Sequence, residues 1–132
     1  MRAIVAALTV AAILCLSSCY RTVALDVNEL DDGRVKIELR SGLIERFLSG
    51  PICFQTIAIS ERQRGETFDT LSDVWRIERQ QPDVCPSEYI FPEVPEGFQL
   101  AAGESARLRP GMEYVVRANA PGLDAESNFT KR

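Results

Sequence analysis

The chain has 132 residues, 45% of them hydrophobic and 26% charged, which suits one globular domain of ordinary size. Its 15 Lys+Arg against 19 Asp+Glu leave a formal charge of −4, so no nucleic-acid partner recruited by net positive charge is expected. The absence of histidine removes Ser-His-Asp and Cys-His catalysis, His-ligated zinc and imidazole-based pH switching.

Met1 and Arg2 give a short positive start, and an apolar run follows from Ala3 to Leu16. Such a run falls below the roughly 20 residues a helix needs to cross a bilayer, and its layout suits a secretory signal. It ends in Leu16-Ser17-Ser18-Cys19, a branched apolar residue and two small residues before a cysteine. This resembles the lipobox of bacterial lipoproteins, in which the cysteine thiol takes a diacylglyceryl group and the small residues fit the signal peptidase. Cys15 is the competing acceptor, but the bulky Leu14 before it fits the cleavage site badly. An ordinary signal peptide or a buried apolar strand is the plainer alternative.

The lipobox resemblance implies residues 1–18 as a cleaved signal, 19–22 as a short lipidated tether and 23–132 as the folded domain. Several acyl chains exceed what stable anchoring requires, so the implied partner is the membrane, held through lipid on Cys19. Tyr20 stands where an aspartate retains lipoproteins at the inner membrane of well-studied Gram-negative bacteria. The expected location is therefore the outer membrane, facing the periplasm. With Cys15 lost and Cys19 acylated, Cys53 and Cys85 remain, and an oxidising periplasm favours their pairing. Their spacing is unlike Cys-x-x-Cys, which points to a structural bridge and not to a redox pair.

Along the mature chain, Val23, Leu25 and Val27 alternate with Thr22, Ala24 and Asp26, which predicts a strand. Asp31-Asp32-Gly33 is turn chemistry. Val35, Ile37 and Leu39 then alternate with Lys36, Glu38 and Arg40 as a half-buried strand. Leu43, Ile44, Phe47 and Leu48 suit one or two helical turns, closed by Gly50-Pro51, although an irregular strand is also compatible. Ile52 to Ser60 is a β-rich run containing Cys53, and Glu61 to Ser72 reads as polar, with a loop tip over 62–65. Val74 to Glu78 alternates and carries the lone tryptophan, Trp75, before a polar loop holding Cys85. Short strands are expected at 89–91, 98–100, 106–108, 113–118 and 126–131, with Phe129 facing inward and a proline-rich loop at 92–97.

Seven to nine short strands at this spacing predict an all-β, antiparallel sandwich, and two local resemblances imply an immunoglobulin-like β-sandwich. Leu108 to Asn119, with Pro110-Gly111-Met112-Glu113-Tyr114 inside it, resembles the tyrosine-corner segment of fibronectin type III and related domains. The resemblance implies that the Tyr114 hydroxyl bonds a backbone group a few residues upstream. The order Cys53, Trp75, Cys85, then Leu100 to Ser105, then the Pro-Gly-x-x-Tyr segment is similar to small, largely uncharacterised bacterial lipoproteins with immunoglobulin-like domains. Cys85 falls in a loop after Trp75, away from the strand bearing Tyr114. The bridge is thus expected to tie an early strand to a neighbouring loop instead of pinning the two sheets.

Few groupings suggest chemistry. The acid pairs Asp31/Asp32, Glu93/Glu96 and Asp124/Glu126 sit in predicted turns, where carboxylates are solvated, and the segment 28–33 lacks EF-hand spacing. Gly-x-Ser-x-Gly and Ser-x-x-Lys motifs and a glycine-rich phosphate cradle are missing from the sequence, so no catalytic residue, metal or cofactor is assigned. Asn128-Phe129-Thr130 matches a glycosylation sequon by chance, and Arg62, Arg64, Arg76 and Arg79 read as surface decoration.

The best-motivated partner site is the loop containing Pro92, Glu93, Pro95 and Glu96, framed by Tyr89, Phe91 and Phe98. The competing reading puts those aromatics in the core and leaves the loop only crossing between sheets. The expected function is a membrane-anchored, non-catalytic binding or structural module of the envelope. Two alternatives are a periplasmic inhibitor of a lysozyme-like or proteolytic enzyme, and an accessory subunit of an envelope secretion or assembly machine.

Overall fold

A computed structural model describes residues 21–40, 52–65 and 70–132. The signal segment, Cys15, Cys19, Tyr20 and the turns expected around Leu43–Leu48 lie outside the described residues. Within them run β1 (Arg21–Glu29), β2 (Val35–Arg40), β3 (Thr56–Gln63), β4 (Thr70–Arg79), β5 (Glu88–Phe91), β6 (Phe98–Ala102), β7 (Glu113–Ala120) and β8 (Leu123–Thr130).

The strands make an all-β, antiparallel β-sandwich. One sheet has the order β6-β4-β3-β7-β8 and the other β5-β2-β1. Pairing within each sheet is antiparallel, and β1 joins them. Arg21 to Val23 run parallel to Leu123 to Ala125 of β8, and from Ala24 onward β1 pairs antiparallel with β2. A parallel step requires no hairpin between the partners, so the chain's first strand can close against its last.

The alternation seen in the sequence decides which faces meet. Val35 and Ile37 of β2, with Tyr89 and Phe91 of β5, point inward against Ile57, Ile59, Trp75, Ile77, Tyr114 and Val116 of the five-stranded sheet. Each fully buried large apolar side chain contributes roughly 1.5–3 kcal/mol, so these rows are the main driving force. Trp75 and Phe91 meet edge to face across the sheets, with ring centroids 5.4 Å apart. Phe129 stacks on Tyr114 at 5.6 Å, packed against the core as its position predicts.

Two local expectations need correction. Arg62 and Gln63, expected at the loop tip, are strand: β3 runs on to Gln63 and pairs Glu61, Arg62 and Gln63 with Ser72, Leu71 and Thr70 of β4. Polar side chains hid this extension, because its register is held by backbone bonds and by cross-strand polar partners. Ala106 to Leu108 are not strand; they belong to the connection between β6 and β7, although Leu108 still enters the core. The first described strand, β1, starts at Arg21.

Gly103 shows how tightly that connection is held. Its φ is +87°, and a Cβ there would lie 2.1 Å from the Val74 carbonyl oxygen. Val74 is skipped at the register shift in the β3–β4 ladder, between the Ile59–Trp75 and Ser60–Asp73 pairs, so the bulged strand and the glycine turn fit each other.

Candidate binding site

Cys53 and Cys85 form a disulfide, Cα–Cα 4.9 Å. Cys53 lies just before β3 and Cys85 in the β4–β5 loop, so the bridge ties two connections at one end of the sandwich. Backbone bonds extend this brace: Gln55 N–H donates to the Asn119 carbonyl at 2.7 Å, and Arg79 N–H to the Gln55 carbonyl at 2.7 Å. The same end receives the start of β1 beside Leu123. Ile52, Arg79, Pro82, Pro121 and Leu123 line an open recess of about 450 Å³ there.

Pro92, Glu93, Pro95 and Glu96 lie in one crossing loop between β5 of the smaller sheet and β6 of the larger. The aromatics expected to frame it are core: Tyr89 and Phe91 are buried, and Phe98 packs edge-on against Tyr89 at 5.5 Å. Burial pushes the Tyr89 phenol up to about 12, with the Arg79 charge working in the opposite direction. Arg34 holds the loop from below, reaching Glu93 at 2.5 Å while also bonding Asp32 at 2.6 Å. The Arg34 backbone N–H, and then its guanidinium, bring the Asp32 carboxyl below its ordinary value. Within the loop, Val94 is the exposed apolar residue, at 40%. The loop therefore presents Val94 and Glu96, not a proline-aromatic platform.

Side chains that the sequence did not bring together converge on the outer face of the five-stranded sheet. Ser60 Oγ donates to Asp73 Oδ1 at 2.6 Å, and Arg117 Nη2 reaches both Asp73 Oδ1 at 2.9 Å and Ser60 Oγ at 3.1 Å. Arg76 approaches the other oxygen of Asp73 at 3.4 Å. Two guanidiniums thus share one carboxylate. The Arg117 register neighbour on β8 is Glu126. Asp73, Arg76, Arg117, Asn119, Asp124 and Glu126 line a shallow concavity of about 690 Å³ over this face. Asp124/Glu126 is the acid pair that lines this concavity. Arg62 and Arg64 both approach Glu113 at 3.5 Å. No signal along the chain could find this cluster, because it depends on the register of β3, β4 and β7 together.

Two further polar contacts lock the ends. The Tyr114 hydroxyl accepts the Arg109 backbone N–H at 2.7 Å, fixing the turn before β7, while the Arg109 guanidinium pairs with the nearly buried Glu61. At the chain terminus Glu29 accepts from the Lys131 ammonium and from the Arg132 N–H, the latter at 2.9 Å. The Lys131 bond, followed by the Arg132 N–H, lowers the Glu29 carboxyl from its ordinary value of 4.5. Among the described residues no cluster of three or more Cys, Asp and Glu is placed to hold a metal ion.

Comparison with known proteins finds no matching family profile, no matching curated protein and no matching solved structure.

Proposed function

We propose that the chain is an envelope lipoprotein anchored through lipid on Cys19, whose sandwich serves as a non-catalytic binding or structural module. The observation that carries this reading is the start of β1 at Arg21, two residues beyond Cys19, at the disulfide-braced end of the domain. An anchor there would hold that end against the bilayer, with the turn at 30–34 and the 103–112 connection facing away. The acids with the most defined surroundings, Asp73, Glu61 and Glu29, are held as partners of arginine or lysine. That arrangement suits rigidity and recognition better than proton transfer.

The test uses the full-length chain in a bacterial envelope fed labelled palmitate. Wild type should carry the label and sediment with membranes. Cys19→Ala should lose the label and become soluble or remain as uncleaved precursor. A Cys19→Ala protein that keeps its label and stays in the membrane overturns the assignment.

A further inference from the structure

We propose that the concavity on the outer face of the five-stranded sheet binds a small zwitterion with the charge spacing of a dipeptide. The ligand's ammonium lies toward Glu126 and its carboxylate toward Arg117. The inference rests on the binding-module reading and deepens it by naming a ligand class.

Opposite charges at facing positions of neighbouring strands ordinarily attract and pair. Arg117 and Glu126 face each other in the β7–β8 ladder, and both line the concavity. They do not pair. Arg117 leans across β3 instead, giving Nη2 to Ser60 Oγ at 3.1 Å and to Asp73 Oδ1 at 2.9 Å. Its Nε and Nη1 make no further bond, and the exposed Glu126 keeps no side-chain partner among the described residues. Asp73 thus holds an opposite pair apart, at the rim of a concavity of about 690 Å³.

The other charges around the concavity already have partners. Arg76, across Ala58 from Arg117, has Asp73 and Glu78 at 3.4 Å each. Asp124 has a contact of its own. Arg62, further along the face, is turned to Asn128 at 3.4 Å and Glu113 at 3.5 Å. What stays open is a donor pole at Arg117 and an anionic pole at Glu126, and a zwitterion is the ligand that meets both. Width selects among zwitterions. From the guanidinium over β3 to Glu126 on β8 is two strand spacings or a little more, about 10–12 Å. A charge-assisted bond of about 3 Å at each pole leaves about 4–6 Å inside. The charges of an α-amino acid are about 2.5 Å apart, whereas those of a dipeptide are about 5–6 Å apart. Thr56 and Asn119 line the same concavity and offer a hydroxyl and an amide to the peptide unit.

The test titrates the full-length protein in detergent with L-alanyl-L-alanine and follows backbone amide resonances. Shifts are expected at 56–58, 117–119 and 124–126, saturating together. Acetylating the peptide amine or amidating its carboxylate should each weaken binding about tenfold or more, the loss of one charge-assisted bond. Glu126→Gln, an exposed change with no side-chain partner to lose, should erase the penalty for acetylation and keep the penalty for amidation. Asp73→Asn weakens the hold on Arg117, so Arg117 can turn to Glu126, and affinity should fall although both poles remain. 5-Aminopentanoate carries the two charges at a similar spacing without a peptide bond. Tighter binding of the dipeptide assigns a peptide to the site, and equal binding assigns an ω-amino acid of the same charge spacing. The same spectra report whether each variant is folded. No shift at these residues overturns the proposal, as does equal affinity for the capped and uncapped peptides. Shifts that ammonium chloride alone reproduces overturn it too. None of these results touches the lipid anchor, which the Cys19→Ala experiment decides by itself.

Discussion

Tyr114 illustrates how one hydroxyl can govern a turn. Its ring is fully buried and stacked on Phe129, while its oxygen accepts the Arg109 N–H that the non-strand segment before β7 would otherwise leave without a ladder partner. Tyr114→Phe keeps the ring and removes only the acceptor. Leaving a partly buried N–H unmet costs about 1–3 kcal/mol, which urea denaturation will show as a lower midpoint with an unchanged slope. A midpoint equal to wild type would mean that the ring alone fixes the turn. Asp73 has a comparable position on the outer face, since Ser60 Oγ and Arg117 both spend a donor on it. Asp73→Ala removes the acceptor of the fully buried Ser60 O–H and the carboxylate partner of Arg117, and should destabilise by about 1–3 kcal/mol. Asp73→Asn, which keeps an acceptor, should recover part of that loss in the same denaturation experiment.

Among the elements, the β3–β4 hairpin and the disulfide at its base act together. The bridge joins residues 32 apart in sequence, enclosing the whole hairpin. In the chain-entropy account such a loop contributes about 3–4 kcal/mol through the unfolded state. The double variant Cys53→Ser with Cys85→Ser should lose about that much, measured against the oxidised protein in guanidinium. A loss below about 1 kcal/mol would mean that the backbone bonds from Gln55 to Asn119 and from Arg79 to Gln55 already restrain the same loop.

What could be read in advance followed the same division between local and non-local information. Val35 and Ile37 were legible because alternation over a single strand is a local signal. Tyr114 was legible because a proline-glycine turn at fixed spacing precedes it. Arg62 and Gln63 were not, since a polar hairpin extension looks like a loop until its partner strand is known. Ala106 to Leu108 failed in the opposite direction: alternating apolar residues were spent on a turn whose donor goes to a tyrosine. The Ser60–Asp73–Arg117 cluster needs three registers at once, one of them shifted by a bulge, and no single-chain pattern encodes that.

For the molecule as a whole, Glu29, Asp32 and Tyr89 each tie stability to pH. Glu29 has its folded value lowered below 4.5 by Lys131 and the Arg132 N–H, so its contribution is present above that pH. It should fade as pH falls through 4.5 and then through the lower folded value. Tyr89 has the opposite sense. Its folded value is raised from 10.0 to about 12, so the contribution is intact below 10 and disappears as pH rises between the two. Thermal unfolding across pH should therefore show an acid limb that Glu29→Gln weakens and an alkaline limb that Tyr89→Phe weakens. An unaltered alkaline limb in Tyr89→Phe would remove burial of that phenol as its cause.

The path of β1 has a mechanical consequence. The strand enters at the braced end, pairs first with β8 and then with β2, and runs along its own length away from the point of entry. Tension applied at the N-terminal side pulls β1 lengthwise, so the hydrogen bonds to both neighbours take the load together instead of opening one after another. Forced unfolding is governed by the unfolding rate. A strand loaded in shear between two sheets makes that rate slow in the direction from which a tether would pull.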